Sequence, residues 1–213
     1  MSAEKLGKAA LGIAATAALA NAAYAVNETE IDKLIAKIEK GNDDERGEAW
    51  QGAWFYGAPA IKRLVPLMTH DDFNVARAAT RGLWTIVRHV GRPGADGERE
   101  AAIAELLPLL DGDQPAAVLR EVMWMVSEIA GDEAVDPVAA LLGNDELRED
   151  ARMVLQRLPG SKSLAALKAG LEAAPNDFKI NIAQSLRARG VTVPGLPCQK
   201  MVPTRQTTVK PLQ

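Results

Sequence analysis

The chain has 213 residues, a formal net charge of −3 and 47% hydrophobic residues, so it is long enough to form one or two domains with a real core. The small net charge excludes a blanket attraction to nucleic acid or anionic membranes, and the single cysteine, Cys198, excludes an intrachain disulfide. Ala and Leu are abundant and β-branched residues are sparse, which favours helices over strands.

The first 25 residues have the three parts of a secretory signal peptide. Two lysines give a basic start, residues 11–20 are uncharged and mostly apolar, and "AYA" at 23–25 places small residues before a cut ahead of Val26. We therefore predict that residues 1–25 are a signal peptide and that the protein is exported to the periplasm or secreted. The alternative is an extra Ala-rich helix that packs on the rest of a cytoplasmic protein. The rest of the chain has no run near the ~20 apolar residues of a membrane span.

Residues 26–190 repeat one plan five times: an apolar helix, a turn with Asp or Asn, a second helix and a glycine. We expect each turn residue to cap the second helix and each glycine to supply a left-handed cap. The turns are "NDD" (42–44), "HDD" (70–72), "DGD" (111–113), "GND" (143–145) and "PND" (175–177). The closing glycines are Gly57, Gly91, Gly131, Gly160 and Gly190. Such self-similarity is typical of solenoid repeats.

The predicted helices alternate along the chain. The first helices of the pairs are Glu28–Glu39, Ala58–Met68, Gly97–Leu110, Ala134–Leu142 and Ser161–Ala173. The second helices are Asp44–Phe55, Asp72–Val90, Gln114–Ile129, Asp145–Leu158 and Asp177–Arg189. Pro66 and Pro108 fall inside apolar stretches and are expected to kink or end their helices.

The segments "DDFNVARAATRGL" (71–83) and "NDELREDARMVL" (144–155) each place an Asp turn before apolar, Arg and Ala positions. On these segments the chain resembles the HEAT-repeat family, in particular its short bacterial phycobilisome-lyase HEAT-like form. The resemblance implies an all-α, right-handed α-solenoid of about five antiparallel helix pairs, with the second helices lining a concave face. It also admits chromophore lyase-like or other enzyme-accessory roles, because repeat folds host many functions.

A tryptophan lies seven residues before three of the closing glycines, at Trp50, Trp84 and Trp124. This position falls off the apolar stripe of each second helix, so we expect these rings among charged residues on the concave face. Large rings beside arginines are typical of protein-interface anchors. The predicted binding surface consists of Trp50, Trp54, Trp84 and Trp124 with Arg77, Arg81, Arg88 and Arg120. The alternative interpretation is that each ring fills the gap between neighbouring second helices.

Other chemistry is weakly indicated. His70 and His89 lie 19 residues apart on different predicted elements, which disfavours a shared metal site. We therefore predict a non-catalytic protein-binding module or assembly scaffold, without catalytic residues, metal or cofactor, whose partner is another protein. A carbohydrate-binding or nucleic-acid-binding solenoid is the further alternative. Acidic residues on the predicted inner face disfavour nucleic acid.

Residues 191–213 contain four prolines and no helical period, so we predict an extended tail. Val191, Val193 and Leu196 alternate, as expected for a strand-like cover over the last repeat. From Phe178 onward the chain has six basic residues and no acidic ones, so the preceding residues carry a net charge of −9. The basic tail is therefore complementary in charge to the body.

Overall fold

The structure, a computed structural model, describes residues 28–198. Within this range the chain forms ten α-helices and five short 3-10 segments, and these residues contain no strand, which confirms the all-α prediction. The predicted signal peptide, the proposed cut before Val26 and the last part of the tail lie outside the described residues. No helix among the described residues is both long and apolar enough to cross a membrane.

The helices follow the predicted alternation. They are α1 Glu28–Lys40, α2 Asp43–Gly52, α3 Ala58–Leu64, α4 Phe73–Val90, α5 Asp96–Leu106, α6 Ala116–Ile129, α7 Val135–Ala140, α8 Arg148–Arg157, α9 Gly160–Ala173 and α10 Asn176–Ala188. The 3-10 segments are Ala53–Tyr56, Val65–Thr69, Leu107–Asp111, Asp132–Ala134 and Leu141–Gly143. Odd-numbered helices are the predicted first helices of each pair, and even-numbered helices are the second.

Two prolines end helices as expected. Helix α3 stops at Leu64, two residues before Pro66, and α5 stops at Leu106, two residues before Pro108. Each continues as a 3-10 segment that includes the proline. Proline has no amide hydrogen, and its ring collides with the carbonyl four residues back, so an α-helix cannot continue unbroken through it. The first helices of these pairs are therefore shorter than predicted.

The predicted side-chain caps are correct for two second helices. Asn42 accepts a hydrogen bond from the Glu45 amide at 2.9 Å, and the Glu45 carboxylate accepts one from the Asn42 amide, forming a capping box. Asp72 accepts from the amide of Asn74 at 2.8 Å at the start of α4. Asn144 accepts from the Glu146 and Leu147 amides, although α8 begins only at Arg148.

The prediction is wrong for α6 and α10, which begin after Pro115 and Pro175 without a side-chain cap. Proline suits the start of a helix for two reasons. Its ring fixes φ, and it lacks the backbone amide hydrogen that would have no partner within the helix at this position. Because α10 begins at Asn176, Asp177 lies inside its first turn. There its carboxylate accepts a hydrogen bond from Arg148 of α8 at 2.9 Å.

The closing glycines differ in conformation. Gly57, Gly160 and Gly190 have positive φ, but φ is −73° at Gly91 and −121° at Gly131, so the left-handed cap predicted at these two positions is wrong. A Cβ on Gly91 would lie 3.3 Å from Cγ2 of Ile129, which indicates that the close approach of α6 explains this glycine. At Gly160 both constraints act, because φ is 86° and a Cβ would lie 2.9 Å from Oδ1 of Asp132.

The core lies between the odd-numbered and even-numbered helices. Each even-numbered helix contacts the next one, from α2 through α10, and α1 contacts α3, α3 contacts α5 and α7 contacts α9. The largest fully buried side chains come from both the odd-numbered and the even-numbered helices and include Ile38, Ile61, Ile86, Met123 and Leu155. Consecutive helix pairs therefore share one apolar cluster, which extends from Ile31 to Leu186.

The described part of the tail runs along the last helix. Val191 and Val193 pack against the core cluster, and Arg187 of α10 donates hydrogen bonds to the carbonyls of Val193, at 3.1 Å, and Leu196, at 2.6 Å. These contacts hold the segment against α10, and the chain turns at Pro194 and Gly195, where φ of Gly195 is 79°. The cover forms no strand within residues 191–198.

Candidate functional site

Three tryptophans lie on consecutive even-numbered helices: Trp50 on α2, Trp84 on α4 and Trp124 on α6. We call these three residues the tryptophan row. Each ring is half-buried and has a guanidinium over it. The distances from guanidinium carbon to ring centroid are 5.2 Å for Arg81 over Trp50, 5.5 Å for Arg88 over Trp84 and 5.4 Å for Arg157 over Trp124. Such distances fall within the range of cation–π attraction.

The row also connects neighbouring helices. The indole nitrogen of Trp84 donates a hydrogen bond to the Glu121 carboxylate of α6 at 2.8 Å, and Arg81 and Arg157 each reach a ring on the preceding even-numbered helix. Trp50 and Trp84 pack against the core cluster as well. These rings are therefore not fully exposed side chains. Trp50 and Trp84 contribute both to packing and to the surface.

Trp54 stands apart from the row. Helix α2 ends at Gly52 and the chain continues as the 3-10 segment Ala53–Tyr56, so Trp54 does not lie one α-helical turn after Trp50. Its ring is 42% exposed and lies against His89 of α4, with 4.6 Å between ring centroids. Trp54, which was predicted to share the binding surface, thus lies beside His89 near the end of α4 and has no guanidinium of the row over its ring.

The four predicted arginines separate into two groups. Arg77, Arg81 and Arg88 all lie on α4, are exposed, and form no ion pair with a carboxylate of the described residues. Arg120 on α6 is different, because its guanidinium contacts Asp150 at 3.2 Å and the Glu146 carboxylate at 3.5 Å. Its positive charge is therefore compensated by α8 and the turn before it.

A shallow pocket of about 240 Å³ opens between α2 and α4 beside the first ring of the row. It is lined by Asp43, Arg46, Gly47, Trp50, Asn74, Arg77, Ala78 and Arg81. Arg46 is paired with Asp43 at 3.3 Å and donates to the Ile38 carbonyl, so it is held against α1 and α2. The pocket thus combines one indole ring with the two uncompensated guanidinium groups of Arg77 and Arg81.

Three further residues belong to this surface and were not among those predicted from the sequence. Phe73 is 70% exposed at the start of α4, and Arg77 lies 5.5 Å above its ring. Glu121 accepts the Trp84 hydrogen bond, and Arg157 covers Trp124. The four-residue spacing from Phe73 to Arg77 is a signal that the sequence does contain. The Arg157 contact crosses from α8 to α6 and has no comparable local signal.

The histidines and carboxylates have local roles. His70 accepts a hydrogen bond from the Asp72 amide at 3.0 Å in the turn before α4, and His89 is half-buried beside Trp54 and 3.7 Å from Glu98. No group of three or more potential metal ligands occurs among residues 28–198.

A second pocket, of about 300 Å³, lies between α1 and α2 and includes Phe55, Tyr56 and Lys33. Lys33 donates a hydrogen bond to the Glu30 carboxylate at 2.7 Å, which raises the pKa of the Lys33 ammonium above its usual value, because the carboxylate stabilises the charged form.

Comparison with protein-family models and with curated proteins finds no match to this chain.

Proposed function

We propose that this protein is a non-catalytic protein-binding module or assembly scaffold, built as a HEAT-like α-solenoid of about five helix pairs. Its recognition surface is the face of the even-numbered helices that carries the tryptophan row. The partner is another protein. The observation that carries the proposal is the recurrence of one element, a half-buried indole with a guanidinium over it, on three consecutive even-numbered helices.

The contacts between helices support the solenoid arrangement. Each even-numbered helix packs on the next one, and side-chain hydrogen bonds between them join residues about one repeat apart: 37 positions for Trp84 to Glu121, 30 for Arg120 to Asp150 and 29 for Arg148 to Asp177. Helix pairs that contact mainly their neighbours are the defining feature of solenoid repeats. Stacking of this kind leaves an extended face available to a partner.

The chemistry of the face favours a protein over nucleic acid. Tryptophan and arginine are the residue types enriched at the energetic centres of protein interfaces. The same face carries acidic groups on its second half, where Asp150 and Glu146 neutralise Arg120, and Glu128 pairs with Arg157. A continuous basic groove, which a nucleic-acid backbone requires, is interrupted there.

Photocrosslinking in the native host tests the proposed surface. A photoreactive amino acid at Asn74, which lines the pocket beside Trp50, is expected to form a discrete adduct with another protein. The same photoreactive amino acid at Lys62, an exposed residue of the odd-numbered helix α3, is the matched control and is expected to form no adduct. Equal adducts from both positions, or none from Asn74, would contradict the proposal.

We also propose that the protein is exported, with residues 1–25 removed as a signal peptide. The basic start, the apolar run and the "AYA" motif at 23–25 support this proposal. Protein isolated from its native host is expected to begin at Val26, which N-terminal sequencing or intact-mass spectrometry measures directly. Isolation of a chain that begins at Met1 or Ser2 would instead favour a cytoplasmic protein.

A further inference from the structure

One face of α4 carries the three arginines of the proposed recognition surface that have no carboxylate partner in the described part of the chain. Phe73, Arg77, Arg81, Trp84 and Arg88 follow one another at intervals of four, four, three and four residues. At about 100° per residue they fall within roughly 80° of the helix circumference, so they form a single line along α4. We call these five residues the arginine stripe.

The three guanidinium groups of the stripe are held by aromatic rings instead of by carboxylates. Arg77 lies over Phe73, Arg81 over Trp50 and Arg88 over Trp84, at 5.5, 5.2 and 5.5 Å from the ring centroids. A contact of this kind orients the side chain but uses none of its five N–H donors. Arg81 and Arg88 therefore keep all their N–H donors for a ligand, and Arg77 uses one in a 3.5 Å contact with Asn74.

Arginines elsewhere in the described residues serve as the comparison. Arg63 contacts Asp32 at 2.8 Å, Arg92 contacts Glu98 at 2.6 Å, and Arg148 contacts Asp177 at 2.9 Å. Within residues 28–198, most surface arginines are thus neutralised by carboxylates of the same chain. The three arginines of the stripe are left without a carboxylate partner and lie together on the face proposed to bind a protein.

We infer that the arginine stripe binds an acidic, extended segment of the partner protein. This inference rests on the proposed function and names the chemistry of its ligand. Carboxylates match the donor geometry of guanidinium groups, and arginines already oriented by rings lose less side-chain entropy on binding. The exposed ring of Phe73 and the half-buried rings of Trp50 and Trp84 provide apolar contacts between the charged positions.

The length of the stripe sets the length of the ligand. Arg77 and Arg88 are eleven residues apart on one helix, which corresponds to about 16 Å along its axis. An extended peptide covers that distance with about five residues at roughly 3.3 Å each. The expected recognition segment therefore has acidic residues at both ends of a stretch of about five residues, with at least one apolar residue between them.

Fluorescence anisotropy with a defined probe tests the inference on the full-length protein. The probe is a fluorescein-labelled eight-residue peptide of alternating Glu and Leu, and its partner probe has Gln in place of every Glu. We expect the Glu peptide to bind at least about tenfold more tightly than the Gln peptide at low salt, and its binding to weaken as salt screens the charges. An eight-nucleotide thymidine oligonucleotide with the same label tests the alternative that the stripe recognises phosphates.

The decisive variant combines Arg77→Gln, Arg81→Gln and Arg88→Gln, which leave the aromatic rings in place. We expect it to bind the Glu peptide at least about tenfold more weakly than the unmodified protein does. The matched control combines Lys62→Gln, Arg63→Gln and Arg99→Gln, which remove the same charge from α3 and α5. It is expected to bind the Glu peptide as the unmodified protein does. Circular dichroism checks that both variants are folded.

Four results would overturn the inference: no binding of the Glu peptide, equal binding of the Glu and Gln peptides, equal loss in both triple variants, or tighter binding of the oligonucleotide. Equal binding of the two peptides would leave the proposed protein-binding function intact, because cross-linking at Asn74 tests that function without reference to charge. If Asn74 forms no adduct but the protein still binds the Glu peptide selectively, the proposed protein-binding function fails while the charge preference of the stripe stands. The two hypotheses are thus tested separately.

Discussion

Replacement of Leu155 by alanine is expected to lower the free energy of unfolding by about 2–5 kcal/mol. Leu155 lies on α8 and is fully buried in the cluster that α8 shares with its neighbours. Helix α8 contacts α6, α7, α9 and α10, so a cavity at this position removes packing between two consecutive helix pairs. Urea unfolding monitored by circular dichroism measures the change.

The matched control for this prediction is Met153→Ala on the same helix. Met153 is 37% exposed, and its replacement is expected to change stability by no more than about 0.5 kcal/mol, which is typical of surface positions. Both substitutions remove a large apolar side chain from α8, so helix propensity affects them similarly. A cost below about 1 kcal/mol at Leu155 would mean that the assigned buried face of α8 is incorrect.

The second large effect is expected at Arg189, which follows α10. Its Nη1 atom contacts the carbonyls of Leu155 and Leu158 at 3.1 and 3.0 Å and the Ser163 hydroxyl at 3.0 Å, while Nη2 donates to the Gly160 carbonyl at 2.7 Å. Carbonyls at the end of α8 lack partners within that helix, and a positive charge there also interacts favourably with the helix dipole. One side chain thus joins the end of α8, the start of α9 and the end of α10.

Arg189→Leu is therefore expected to destabilise the protein by about 2–4 kcal/mol, because hydrogen bonds to a charged group are lost and carbonyl groups are left without a donor. Urea unfolding again provides the measurement. Arg99→Leu serves as the control, because Arg99 forms a partly exposed ion pair with Asp96 on its own helix, which is worth about 0–1 kcal/mol. If the two variants are equally stable, Arg189 does not have the linking role assigned to it.

Local signals in the sequence were sufficient to predict which segments form helices and where some of these helices begin or end. The Asp and Asn turns predicted the side-chain caps at Asn42 and Asp72, and Pro66 and Pro108 predicted an interruption of α3 and α5, because each of these features depends on a few neighbouring residues. The conformation of Gly91 was not predictable in this way. Its φ is −73°, and a Cβ at this position would lie 3.3 Å from Cγ2 of Ile129 on a neighbouring helix, a contact that the residues around Gly91 do not indicate.

In the candidate surface as well, contacts within one helix could be predicted from the sequence, whereas contacts between helices could not. The seven-residue spacing before the glycines identified the tryptophan row and the arginines one turn away from it, such as Arg88 beside Trp84. It did not indicate that Arg81 lies over Trp50 or that Arg157 lies over Trp124, since these contacts depend on how two helices are rotated against each other. The placement of Trp54 depended on a change from α-helix to 3-10 helix after Gly52, which the apolar pattern does not encode.

The bonds between even-numbered helices have a consequence for how the chain folds. The contacts of Trp84 with Glu121, Arg120 with Asp150 and Arg148 with Asp177 join residues 29 to 37 positions apart. Loops of this length close at modest entropic expense, and proteins dominated by short sequence separations fold quickly. In the proposed solenoid, any adjacent set of helices can thus serve as a nucleus from which order propagates in both directions. Within residues 28–198, the helix pairs at the two ends of that stack are expected to open before the pairs in the middle.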